Sequence, residues 1–167
     1  VCKLARDIGA EVKAYVLLKP PYLSEKESIE DAVKSATDAA PHVDKISINP
    51  VNVQKNTVVE KLWFRNEWTA PWLWSVIEVL KRCEDLPVRV YSDPTGGGTR
   101  RGAHNCHNCN KKILEALKNH RIGVKDLKGL HCDCKPRWDA LVKQSALRRN
   151  GSEPHGYRSG FAGSRHF

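Results

Sequence analysis

Three β-rich runs, each stopped by a proline-bearing loop and separated from the next by helical periodicity, constrain this chain more than any other feature. The run from Val12 to Leu18 ends at Lys19, Pro20 and Pro21; that from Lys45 to Asn49 ends at Pro50; that from Val88 to Ser92 ends at Asp93 and Pro94. Proline has no N–H to give to a ladder, so each strand stops there. Helical patterns precede or divide the runs. Val1, Leu4, Ala5 and Ile8 recur at helical spacing, with Gly9 where a C-cap belongs. Ser24 and Glu27 form a capping box ahead of Ile29, Ala32, Val33 and Ala36, and Thr57 and Glu60 form a second one ahead of Leu62 and Trp63. Pro71 suits the first turn of an apolar helix carrying Trp72, Leu73, Val76, Ile77, Val79 and Leu80. Strands alternating with helices pair in parallel through crossovers, which places the chain in the α/β class, as a parallel sheet or a (β/α) barrel. Such folds gather their sites at the carboxyl ends of the strands, where Lys19, Asn49, Asn52, Gln54, Asp93 and Thr95 fall.

Beyond residue 99 the pattern changes. Cys106 and Cys109, then Cys132 and Cys134, form two short knuckles able to present four thiolates tetrahedrally, which predicts a structural Zn²⁺ site with an iron–sulfur centre as the alternative. His104, His107 and His131 flank the knuckles as neighbours rather than ligands. Two short helices are expected, one around Ile113, Leu114 and Leu117 and one from Pro136 to Val142. Cys2 and Cys83 stand alone on helices and read as packing residues. Gly96, Gly97 and Gly98 lack the Lys-Ser/Thr of a phosphate-binding loop and read as a loop in which backbone can come close. Of Trp63, Trp68, Trp72 and Trp74, the last two cannot share a helix face, so one is expected in the core.

The 167 residues carry 28 Lys and Arg against 19 Asp and Glu, a net charge of +9 that favours an anionic partner. Arg100, Arg101, Lys111 and Lys112 crowd the first knuckle, a dressing suited to RNA phosphates. Paired cysteines without a secretory pattern fit a reducing, cytoplasmic setting, and no apolar run is long enough to span a membrane. With Val at position 1 and no Met anywhere, the sequence reads as a piece of a longer protein. The expected organisation is a barrel segment over residues 1–99, a four-cysteine zinc-type module over 100–145 and a flexible basic tail over 146–167.

With these segments in place, the first hundred residues resemble the C-terminal half of a radical S-adenosylmethionine barrel, through Gly9 to Pro21, Ile46 to Thr57 and Glu67 to Trp72. The strand exit from Ser92 to Gly98, followed by His104 and the first knuckle, looks most like the archaeal subgroup of radical enzymes that completes archaeosine in transfer RNA. The resemblance implies a lyase that cleaves a lysine adduct of a deazaguanine base, using S-adenosylmethionine and a [4Fe-4S] cluster, with tRNA and the lysine-transferring archaeosine synthase subunit as partners. It further implies that Tyr15, Lys19, Asn49, Asn52 and Asp93 face S-adenosylmethionine or substrate. The family's Cys-x3-Cys-x2-Cys triad is absent from the sequence, so these residues alone are expected to be inactive, with the cluster ligands outside them. Two other readings stand beside this one. A methylthiolating radical enzyme would end in a β-barrel rather than knuckles. A non-catalytic zinc module binding RNA or protein would need no triad at all. An incomplete barrel leaves strand edges open, so the isolated chain is expected to associate.

Overall fold

The computed structural model describes residues 2–121, 127 and 129–147. In chain order the elements are α1 (Cys2–Asp7), β1 (Lys13–Leu18), α2 (Glu25–Ala39, continued by a 3-10 turn at Ala40–His42), β2 (Lys45–Pro50), α3 (Val58–Phe64), α4 (Leu73–Arg82), β3 (Arg89–Ser92), α5 (His107–Arg121) and α6 (Lys135–Leu147). The three strands form one parallel sheet in the order β1-β2-β3. The mixed α/β class and the parallel sheet expected from the alternation are therefore present.

The local signals act largely as their chemistry predicts. Gly9 takes a left-handed φ of 77° just past α1. At α2 the Ser24 side chain accepts from Glu27 N–H at 3.3 Å while the Glu27 carboxylate accepts from Ser24 N–H at 2.8 Å, closing the box in both directions. At α3 only half of the box forms. Thr57 Oγ1 accepts from Glu60 N–H, but the Glu60 carboxylate takes the N–H of Asn56, one residue further back. Helix α4 begins at Leu73 with Trp72 as its N-cap, so Pro71 lies ahead of the first turn rather than in it. Trp72 supplies no side-chain cap. Remote side chains serve instead: Trp72 N–H donates to Glu25 and Trp74 N–H to Asn105. Helices α5 and α6 run longer than the apolar periodicity marked out. The expected basic tail lies outside the described residues from 148 onward.

Alternation along the strands sorts the sheet into two unlike faces. Val16, Leu18, Ile46, Ile48 and Val90 point to one side, where they are buried under Ile29, Ala32 and Ala36 of α2 and Leu73, Val76, Ile77 and Leu80 of α4. The same apolar core takes in Cys109, Ile113 and Leu117 of the α5 region, Leu127, and Trp138 of α6. A smaller cluster of Val53, Leu62, Trp68 and Ala70 sits beneath α3. On the other side stand Tyr15 and Leu17, 65% and 55% exposed. All-parallel sheets are ordinarily covered on both faces, so this second face is unusual. Among the described residues no helix is long and apolar enough to cross a membrane.

Candidate functional site

Helices α5 and α6 start at the two cysteine knuckles, which puts the positive ends of their dipoles next to the knuckle residues. Cys106 immediately precedes α5 and Cys109 lies in its first turn; Cys134 immediately precedes α6. The knuckle bends are held by backbone bonds from Asn110 N–H to Cys106 C=O and from Lys135 N–H to Cys132 C=O. Their sulfurs converge. Sγ of Cys106 lies 3.5 Å from those of Cys109 and Cys132, and Sγ of Cys109 lies 3.6 Å from that of Cys134. All four ligand atoms fall within 4.8 Å of one another. Zinc–thiolate bonds of about 2.3 Å in a tetrahedron place neighbouring sulfurs about 3.8 Å apart, so this spacing suits one shared ion. In an iron–sulfur cube each thiolate holds a different iron, which spreads the sulfurs more widely. The four cysteines thus form a group that could hold a metal ion, and their geometry is consistent with zinc.

The thiols are unequal. At Cys106 burial opposes ionisation, but hydrogen bonds from Cys132, Cys109 and Cys134 outweigh it and bring the group down to about 7. Burial pushes Cys109 up to about 12 and raises Cys134 as well. One thiolate therefore forms readily near neutral pH, and a cation among the sulfurs would favour ionisation of Cys109 and Cys134 against their burial. The histidines are not part of the group. His104 and His131 turn their Nδ1 atoms to the carbonyls of Gly102 and Gly129, and His107 is exposed on α5.

A buried polar chain ties this centre to the carboxyl end of β1. Trp74 Nε1 donates to Cys134 Sγ at 3.4 Å, and Trp138 Nε1 donates to Ser75 Oγ at 2.8 Å. Ser75 in turn donates to Glu25 Oε1, whose other oxygen accepts from Lys19 Nζ at 2.5 Å. Lys19, at a left-handed φ of 61° just before Pro20, is 6% exposed and also donates to Thr69. Both charges of the pair are withdrawn from water, with hydrogen bonds compensating each. Glu25 was hidden from sequence reasoning because an acidic residue in a first helical turn needs no tertiary partner to explain it.

The structure brings Tyr15, Asn49, Asn52 and Asp93 together around an open cavity of about 790 Å³ on the uncovered face of the sheet; Lys19 is not in its lining. Asn52 Nδ2 donates to Thr95 C=O and its Oδ1 accepts from Gln54. Asp93 is paired with Arg121, a residue 28 positions away that no local pattern announced. Lys13, Lys45, Arg89 and Tyr91 also line the cavity. Lys13 is raised above the usual lysine range by hydrogen bonds to Tyr91 and Tyr15.

Of the basic residues singled out near the first knuckle, Arg100, Lys111 and Lys112 are exposed. Arg101 is half-buried: its guanidinium pairs with Glu60, donates to Val53 C=O at 3.1 Å and lies over the Trp63 ring. The glycine run forms a closed turn, Gly98 N–H donating to Ala103 C=O at 2.8 Å. A Cβ on Gly97 would meet Leu114, and one on Gly102 would collide with the Gly96 backbone. These glycines let the chain approach itself.

No family model matches the chain. It is 41% identical over 145 residues to a protein of Methanosarcina acetivorans named archaeosine synthase subunit beta, covering 83% of this chain and 41% of that protein. It is 37% identical over 150 residues to a protein of the same name from Thermococcus kodakarensis, covering 87% and 46%. An uncharacterised protein of Methanocaldococcus jannaschii is 36% identical over 148 residues, covering 84% and 40%. The chain thus spans less than half the length of the curated relatives it matches, two of which are named archaeosine synthase subunit beta.

Proposed function

We propose that this chain is the C-terminal part of a radical S-adenosylmethionine enzyme that performs the lyase step of archaeosine formation in tRNA, releasing the amidine from a lysine-adducted deazaguanine. The observation that carries this reading is the 41% identity to an archaeosine synthase subunit beta across 83% of the chain. The word subunit in that name supports a second polypeptide, which in this reading is the one that attaches lysine. One-sided coverage of an all-parallel sheet supports the barrel-segment assignment for residues 1–99, with 100–145 as the metal module, because a closed barrel supplies the missing cover.

The [4Fe-4S] cluster does not fit these residues. The triad that holds it is absent, and the four clustered sulfurs suit a single structural ion. What these residues contribute is the cavity wall. Tyr15, Asn49 and Asn52 bound it, and Asp93 exchanges its Arg121 partner for the ammonium of the substrate's lysyl arm. The ion among the four thiolates holds α5 and α6 against the core behind that wall, and Arg100, Lys111 and Lys112 hold the RNA body.

The test uses the full-length polypeptide that contains these residues, purified anaerobically and supplied with S-adenosylmethionine, a reductant and tRNA bearing the lysine-adducted base. Mass spectrometry of the digested nucleosides should show archaeosine. Unchanged adduct, or a full-length sequence without the cysteine triad, overturns the reading.

A further inference from the structure

Among the described residues that line the cavity, Asp93 is the sole acid, set immediately after the last residue of β3. Its partner comes from a distant part of the chain. Arg121 is the last residue of α5, the helix that starts at the first cysteine knuckle, so one end of α5 lies at the four sulfurs and the other brings a guanidinium to the cavity. The pair is partly open, its side chains 43% exposed at Arg121 and 66% at Asp93. An ion pair so placed adds little to stability, and either member can take a ligand group in its partner's place at small cost.

The lysyl arm of the proposed substrate carries the complementary charges. Lysine has two amines and one carboxyl group, and the adduct uses one amine, so the arm keeps an ammonium and a carboxylate. Joined through its side-chain amine, it presents both on one carbon. With Asp93 on the ammonium, the carboxylate needs a cation close by. Lys13, Lys45 and Arg89 also line the cavity, but they form one row across the strands. Arg89 stands four residues before Asp93, about 13 Å away along an extended strand. Arg121 already touches Asp93, and a guanidinium can meet a carboxylate through two parallel hydrogen bonds. We propose that Asp93 and Arg121 together bind the free amino-acid end of the lysyl arm, Asp93 taking the ammonium and Arg121 the carboxylate as their own pair opens. The inference rests on the lyase reading above and makes Arg121 a specificity-determining residue for it.

The experiment measures equilibrium binding of three tRNAs to the full-length polypeptide, without reductant so that no turnover occurs. One tRNA bears the lysine adduct of the base. The second bears the adduct of 1,5-diaminopentane, which lacks the carboxylate, and the third that of 6-aminohexanoate, which lacks the ammonium. The wild type should bind each truncated adduct about tenfold more weakly than the lysine adduct, as loss of one charge-assisted contact requires. Arg121→Gln should bind the lysine and diaminopentane adducts alike and still disfavour aminohexanoate. Asp93→Asn should do the converse, and Arg121→Lys should recover part of the preference for the carboxylate. Both Arg121→Gln and Asp93→Asn break the same ion pair, so a purely structural pair would give them the same pattern and overturn the proposal. It also falls if Arg121→Gln keeps the preference for the carboxylate, which would assign that group to Lys13 or Arg89. Archaeosine formation by a wild type that binds all three adducts equally sinks this inference and leaves the lyase reading intact; the predicted preferences without archaeosine formation sink the lyase reading alone.

Discussion

The two faces of the sheet are made by alternate residues of the same strands and have opposite characters. Ile46, Ile48 and Leu18 on the covered face are fully buried, while Tyr15 and Leu17 on the other are more than half exposed. The covered face is continuous with the four-cysteine group. Its core includes Cys109, and Trp74 and Trp138 carry hydrogen bonds from that core toward Cys134 and Glu25. The open face is instead a surface of ion pairs, cations set over rings and polar side chains. Stability is thus concentrated on one side, and residues free to meet a ligand stand on the other.

Removing the metal should show this division most strongly. Structural zinc contributes on the order of 10 kcal/mol in small metal-folded domains, and an ion held by these four thiolates would join two helices to a shared core. Cys109→Ser deletes the most buried ligand. It should abolish stoichiometric metal by elemental analysis and lower the melting temperature by about 10 °C or more. Cys2→Ser, far from the tetrad in sequence, should change neither. A protein without bound zinc that melts as the wild type does would show that α5 and α6 need no ion to stay in place.

Glu25→Ala comes next. It leaves Lys19 buried without its counter-charge and strips Ser75 Oγ and Trp72 N–H of their acceptor. Breaking one side of such a pair costs about 3–5 kcal/mol. Denaturant melts of Glu25→Ala and of the double variant Glu25→Ala/Lys19→Met would measure it, and the double variant should recover much of the loss. If both are equally unstable, the damage comes from the hydroxyl and backbone partners rather than from the orphaned ammonium.

The faces can then be compared on adjacent strands. Ile48→Ala opens a cavity in the core and should cost about 3 kcal/mol. Leu17→Ala, on the exposed side, should stay within about 0.5 kcal/mol. Chemical denaturation of the two variants side by side is sufficient. Similar losses would mean that the open face is covered in solution, for instance by association of the chain with itself.

How much of this was legible in the sequence follows from the range of each interaction. The Ser24 box, the cysteine spacing and the ends of β1 and β3 before their prolines are local, and each appears where its pattern places it, whereas β2 keeps Pro50 as its last paired residue rather than stopping ahead of it. Asn49, Asn52 and Asp93 reach one cavity because strand exits on a parallel sheet converge whatever their residues. Lys19 sits at such an exit too, where the residue before a proline is ordinarily expected to stay extended. It turns left-handed and reaches Glu25 and Thr69. The caps of α4 come from Glu25 and Asn105, 47 and 31 residues away, and the tryptophan bonds to Cys134 and Ser75 span 60 and 63 residues. No window of sequence contains those partners.

The smallest expected effect lies at the rim of the open face, where Arg101 and Glu60 join the glycine turn to α3. The hydrogen bond from Arg101, and after it that from Asn56 N–H, holds the Glu60 carboxyl below the usual carboxylate range. A depressed acid stabilises the fold while it is ionised. Its contribution is complete above the unfolded glutamate value of about 4.3 and disappears as pH falls through the lower folded value. Arg101→Gln should therefore melt slightly below the wild type at pH 7, and the gap should close as pH is lowered past about 4. Added salt should narrow the gap at pH 7, because the pair is partly open to solvent. A gap that persists unchanged in acid would show that Arg101 works through its bond to Val53 C=O and its contact with Trp63, which do not titrate, and that the rim is held as the covered face is, by packing rather than by charge.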